Sequence, residues 1–256
     1  MTIISLLLLA FLLPHLTFTA RVNVGIVNGK EAKPHSRPYM ISVQKNKRHI
    51  CGGFLISDRF VMTAAHCWNN SSDVLTVVLG AHDLRKQTEN SVLLTVDSYH
   101  QPPKYNAKYT YRNDIMLLKL EKNVQLNNNI KWISISGEDV DIEAGSVCSV
   151  AGWGLLETEG KRSDLLMETK VKVMNNKKCE SKWGKEFFST SQMMCVHGDG
   201  GSCEGDSGGP LVCGDTAVAV TSFGDPDLCN SSELPEVYTK ISAYLPWIKK
   251  IIGNFN

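Results

Sequence analysis

The chain has 256 residues, 43% of them apolar and 21% charged, with a formal net charge of +1. That length and apolar content allow one large core or two modest ones, and they exclude a disordered or low-complexity chain. A charge so close to zero also argues against general electrostatic attraction to nucleic acid or to an anionic membrane, which needs a basic excess.

The apolar run over residues 3–13 is shorter than the roughly 20 residues that span a bilayer, and Pro14 interrupts it. Residues 1–25 are therefore expected to be a signal peptide plus a short propeptide, with an uncleaved signal anchor as the alternative. Arg21 is the only charged side chain in that leader, so the remainder carries basic and acidic residues in balance.

Short apolar runs follow at 41–43, 54–56, 60–62, 75–79, 91–96 and 115–120, separated by Gly, Pro, Asn and Asp. A second set lies at 147–150, 168–173, 211–212, 217–221 and 237–239. Many short strands with turn residues between them predict antiparallel barrels or sandwiches, not βαβ units. Near the end, Pro246 suits a first helical turn. Trp247, Ile248, Ile251 and Ile252 then share one face while Lys249 and Lys250 point away, which predicts a terminal helix packed on the body.

Three segments carry the chemistry. Gly205-Asp206-Ser207-Gly208-Gly209-Pro210 surrounds a serine with glycines, as backbone N–H groups require if they are to face a developing oxyanion. A serine hydroxyl is a weak nucleophile unless a base takes its proton, and Thr63-Ala64-Ala65-His66-Cys67 offers that base. Asn113-Asp114-Ile115-Met116-Leu117-Leu118 supplies a separate carboxylate. Taken alone, any of the seven histidines reads as surface or core; His66 stands out by context, and His15, His35, His49, His82, His100 and His197 receive no catalytic role.

Eight cysteines in a secreted chain point to disulfides, but eight allow 105 pairings and spacing does not choose among them. Zinc binding is disfavoured because no C-x-x-C pair or spaced His pair occurs. Asn69, Asn70 and Asn230 begin N-x-S sequons, as expected for a glycoprotein.

The order His66, Asp114, Ser207 resembles the chymotrypsin-like serine proteases. The likeness extends from Ile26-Val27-Asn28-Gly29 through Pro235-Glu236-Val237-Tyr238-Thr239 to Leu245-Pro246-Trp247-Ile248. It implies an all-β fold of two six-stranded antiparallel β-barrels with a C-terminal α-helix, divided as 26–130 and 131–256. It implies an endopeptidase in which Ser207 attacks, His66 shuttles the proton, Asp114 orients the imidazole, and the Gly205 and Ser207 N–H groups form an oxyanion hole. By the same resemblance Ser222 hydrogen-bonds Asp114, and the pairs are Cys51–Cys67, Cys148–Cys213, Cys179–Cys195 and Cys203–Cys229. Ile26, once freed, would pair its α-ammonium with Asp206.

Gly25 before Ile26, and the segment 33–40, resemble the granzyme, mast-cell protease and cathepsin G branch, which implies secretion or granule storage. Ala81 stands where calcium-binding trypsins carry a glutamate, so no metal or cofactor is expected. Gly201 and Ser202 align with the floor of the specificity pocket, Gly224 with one wall, and Glu236 with an acidic wall position. These residues imply mixed cleavage after Lys or Arg and after Phe or Leu, with chymase-like specificity as the alternative. A non-catalytic binding homologue is disfavoured because no triad residue is missing. Partners are expected to be protein or peptide substrates and serpin-type inhibitors of a monomer with no membrane span.

Overall fold

The computed structural model describes residues 26–68, 72–86, 91–106, 111–138 and 141–255. In the first half, strands form at β1 (Lys30–Glu31), β2 (Met40–Lys45), β3 (Arg48–Leu55), β4 (Phe60–Thr63), β5 (Leu75–Leu79), β6 (Val92–His100) and β7 (Met116–Leu120). Six of them close a barrel in the order β2-β3-β4-β7-β6-β5, every pairing antiparallel. β5 shows why: Leu75, Val77 and Leu79 point into the core while Thr76 and Val78 face partly outward, the period of two that a one-sided strand requires. β4 is buried along its whole length and β7 nearly so.

The second half contributes β8 (Ser134–Ile135), β9 (Val147–Gly152), β10 (Met167–Val173), β11 (Met193–His197), β12 (Pro210–Cys213), β13 (Thr216–Phe223) and β14 (Glu236–Lys240). The order β10-β11-β14-β13-β12-β9 closes through the β10–β9 ladder into a second six-stranded barrel. β1 adds to β10, and β8 adds in parallel to β13. The expected all-β architecture of two barrels is what the chain adopts.

Two elements escape a reading by periodicity. Helix α1 (Asn176–Trp183) buries only Cys179, so it has no apolar stripe. It is held instead by the Asn175 side chain, which accepts from the N–H groups of Lys177 and Lys178, and by the Cys179–Cys195 disulfide. Strand β11 is built around Met193, Met194 and Cys195, which lack the β-branched signature of strands. The C-terminal helix α2 (Leu245–Gly253) does form, with Pro246 in its first turn. It buries Leu245 and Ile248, with Trp247, Ile251 and Ile252 partly buried, against the core that fills the first barrel.

The four disulfides join Cys51 to Cys67, Cys148 to Cys213, Cys179 to Cys195 and Cys203 to Cys229. Among the described residues no helix is long and apolar enough to cross a membrane.

Candidate active site

His66 lies in a single turn of 3-10 helix (Ala65–Cys67) immediately after β4, and the Cys51–Cys67 bridge ties that turn back to β3. Asp114 stands just before β7 and is fully buried. Its neighbour Asn113 adopts φ 61°, a left-handed conformation that Asn tolerates better than most residues. The Asp114 carboxylate accepts the His66 backbone N–H at 2.9 Å and the His66 Nδ1–H at 2.8 Å. It also accepts the hydroxyl proton of Ser222 from β13. Burial pulls the imidazole pKa down, but the Asp114 charge and hydrogen bond outweigh it and leave His66 above its ordinary value. With Nδ1 donating to Asp114, the free lone pair is on Nε2, as a general base needs.

Ser207 sits on a tight loop between β11 and β12, pressed against the first barrel. The Gly52 N–H donates to the Ser207 carbonyl at 2.8 Å, and the Gly208 N–H donates to the Thr221 carbonyl at 2.8 Å. Gly208 has φ 83°, and a Cβ there would come within 2.1 Å of Thr63 Oγ1, so only glycine lets the loop approach β4 so closely. Among the described residues the N–H groups of Gly205 and Ser207 have no acceptor, which leaves both available to an oxyanion. His66 and Ser207 line one cleft of about 720 Å³. Among the described residues no hydrogen bond joins Ser207 Oγ to His66, a contact that is commonly long in a free enzyme and tightens around substrate.

The cleft leads to Glu236 at the start of β14. Ser202 Oγ donates to its carboxylate at 2.9 Å and the Asn230 N–H donates at 3.3 Å, while Ser202 also contacts the Tyr238 hydroxyl at 2.9 Å. Burial dominates these hydrogen bonds and pushes the Glu236 carboxyl up to about 7. A Cβ on Gly224 would meet that carboxylate at 2.9 Å, so the missing side chain there keeps the slot open, whereas Gly201 lies behind the lining, where a Cβ would meet Asn230 Oδ1 at 3.0 Å. At the mouth, Tyr111 stacks on Phe223 with centroids 5.0 Å apart, Trp183 meets Phe223 edge-on, and Tyr111 meets the His66 ring edge-on.

Asp206 is buried behind the oxyanion loop and accepts N–H groups from Gly154 at 2.8 Å and Cys203 at 3.0 Å. Burial raises its carboxyl to about 7 despite them. The Ile26 side chain is fully buried in the second-barrel core beside Tyr238, and Val27 bridges to Gly201. Among the described residues no hydrogen bond or ion pair joins Ile26 to Asp206.

Sequence reasoning passed over His49 and Arg162. His49 bridges Ser42 Oγ at 2.8 Å and the Gly205 carbonyl at 2.9 Å, and burial lowers its pKa to about 4, so the ring is neutral. Arg162 donates to the His49 carbonyl and to Glu204, both at 2.7 Å. Neither carries a local motif; the only hint was the position of His49 two residues before a cysteine. Asn69 and Asn70 lie outside the described residues. Asn230 is half-buried at the pocket wall, its amide donating to the Gly198 carbonyl at 3.4 Å. Cys51, His66 and Cys67 cluster as metal ligands would, but both sulfurs are joined in a disulfide and offer no thiolate.

A cleft histidine held by a buried aspartate and facing a glycine-flanked serine between two antiparallel barrels defines the serine-protease class of this architecture. The Trypsin family profile matches residues 26–248. Granzyme B of Rattus norvegicus is 42% identical over 233 residues, covering 88% of this chain and 90% of its own length. Human cathepsin G is 36% identical over 257 residues, covering 98% and 94%. Among solved structures, neuropsin, a serine protease expressed in the limbic system of mouse brain, superimposes with a TM-score of 0.80 at 34% identity, covering 89% of this chain and 100% of the other. The chain belongs to the trypsin family. It is a granzyme- and cathepsin G-like serine endopeptidase.

Proposed function

We propose that this protease cleaves protein and peptide substrates after two kinds of residue, Lys or Arg and Phe or Leu. Ser207 attacks the scissile carbonyl, and His66 takes its proton through Nε2 and returns it to the leaving amine. Asp114 fixes the tautomer and stabilises the imidazolium, and Gly205 and Ser207 donate to the oxyanion. Residues 26–130 carry the base and its carboxylate; residues 131–256 carry the nucleophile and the pocket.

The observation behind the dual preference is Glu236, a buried carboxyl that enters no ion pair among the described residues, next to the side-chain-free positions Gly201 and Gly224. An incoming Lys or Arg supplies the missing partner, so pairing replaces an under-solvated acid. An aromatic or leucine side chain fits the same slot while Glu236 stays protonated. Because the Glu236 pKa is raised to about 7, its charge develops only as pH climbs through that value. The ratio of kcat/KM for Lys over Phe substrates is therefore expected to rise between about pH 6 and 8. His66 deprotonation affects both substrates and cancels in the ratio. Glu236→Gln should flatten the ratio and lower Lys and Arg cleavage selectively. A wild-type enzyme that cleaves after no basic residue at any pH would leave a chymase-like preference in its place.

The same reading includes a precursor kept inactive until cleavage before Ile26 frees an α-ammonium for Asp206, and storage or secretion in the manner of granule proteases, regulated by serpin-type inhibitors. Support for the first point is that Ile26 is fully buried in the second-barrel core and that the buried Asp206 carboxyl enters no ion pair among the described residues. Secretion is checked by expressing the full chain in cells and sequencing the N-terminus of the protein recovered from the medium and from granules.

A further inference from the structure

The cleft lining contains five carboxylates, Glu159, Glu204, Asp225, Asp227 and Glu236, and no lysine or arginine among the described residues. Glu204 is held by Arg162 at 2.7 Å, whereas among the described residues the other four enter no ion pair. Elsewhere on the molecule acids are neutralised at close range, as in Arg37–Glu168, Arg85–Asp83 and Lys119–Asp97. In a chain whose total charge is nearly balanced, the sign of the cleft is thus a local arrangement.

Three of these acids sit on a braced rim. Asp225 follows Gly224 at the end of β13, and its carboxylate accepts the Asp227 N–H at 3.0 Å, which fixes the loop and helps hold its pKa below the ordinary value. That loop is anchored by the Cys203–Cys229 disulfide, and the Cys229 N–H donates to Thr158 Oγ1 at 3.0 Å. This hydrogen bond brings Glu159 to the same rim. Arg162 is engaged with Glu204, and Arg112 donates to the Lys185 carbonyl, both at 2.7 Å.

We propose that Glu159, Asp225 and Asp227 are specificity determinants that favour cationic polypeptides, engaging Lys or Arg side chains that flank the scissile residue. The inference rests on the cleft acting as an endopeptidase site, but not on the role given to Glu236. A groove lined by one sign of charge focuses its field and raises the local concentration of oppositely charged substrate. The rim is open to water, so the effect acts on KM and association and fades as salt shortens the screening length below about 8 Å.

The test is a set of peptides sharing one scissile residue and differing by a single Lys or Asp placed two to four residues from it on either side. Rates are taken at 0.02 M and 0.5 M salt with the enzyme titrated by an organophosphonate. At one or more positions, kcat/KM for Lys over Asp is expected to be about fivefold at low salt and to fall below about twofold at high salt. The variant carrying Glu159→Gln, Asp225→Asn and Asp227→Asn should lose most of that ratio. Asn and Gln keep the shape and the acceptor that receives the Asp227 N–H, and the titration counts correctly folded sites. A ratio below about twofold at every position in the wild type, or one retained in the triple variant, overturns the proposal. So does a ratio that Glu236→Gln alone abolishes, since the charge would then be read in the pocket and not on the rim. Because each pair shares its scissile residue, running the set on Phe peptides keeps the result separate from any failure of the dual preference.

Discussion

The two barrels solve the same packing problem with different means. In the first, one continuous cluster joins Val43, Phe54, Leu55, Val61, Leu79, Leu94 and Leu117, and the C-terminal helix closes over it. Its single disulfide serves the His66 turn. In the second, the apolar interior is divided into a central cluster around Val150, Val171 and Tyr238 and a smaller one around Cys179, Phe188 and Val237, and three disulfides brace the loops. A further small cluster of Ala32, Met40, Ala151, Trp153 and Leu166 lies where the halves meet. A closed core can present a base and its carboxylate rigidly. A nucleophile loop, an oxyanion hole and an open pocket need backbone free of side chains, and covalent ties replace the packing given up there.

The largest test of this division of labour is chemical. Ser207→Ala or His66→Ala should each lower kcat/KM by several powers of ten, roughly four to six in comparable triads, without loss of fold by circular dichroism. Full activity in Ser207→Ala would sink the assignment. Next, a chain beginning at Ile26 should be active, whereas one extra N-terminal residue or Asp206→Asn should reduce activity by at least about tenfold, because each removes one partner of the ammonium–carboxylate pair that would order the loop. Equal activity of the extended and processed forms would break the link between Ile26 and Asp206.

Stability separates the barrels. Leu117→Ala, at a fully buried position of the first barrel, is expected to cost about 2 to 5 kcal/mol in denaturant unfolding. Replacing Cys203 and Cys229 together by serine should cost about 3 kcal/mol, and it should also weaken discrimination between P1 residues, because that bridge holds the pocket rim. If the serine pair alters stability but leaves specificity intact, the bridge supports the fold only. A pH-dependent effect concerns Glu236. Its pKa is raised above the ordinary 4.5 in the folded state, so folding is opposed progressively as pH rises from about 4.5 to 7. Glu236→Gln should remove that slope, gaining stability at pH 8 and little at pH 4, as urea titrations at the two values will report.

Much of this molecule could be read from its residues because the chemistry is local in sequence. Glycines around Ser207, a histidine beside a cysteine and an aspartate before an apolar strand each sit in a short motif, and alternation in segments such as 75–79 announces strands. Helix α1 and strand β11 were missed because one is held by a cap and a disulfide and the other by Met and Cys, neither of which leaves a periodic signal. The sequence by itself placed the histidine, aspartate and serine in three short motifs and announced a chain of many short strands, while the two-barrel class and the alignment of Gly201 with a pocket floor came from its resemblance to the chymotrypsin-like proteases. Only the tertiary structure decided that Glu236 is under-solvated, that His49 and Arg162 back the oxyanion loop, and that the acids at 159, 225 and 227 share one rim. Those properties depend on burial and on contacts between segments up to 156 residues apart, as from His49 to Gly205, and such distances are set by packing, not by any local run of residues.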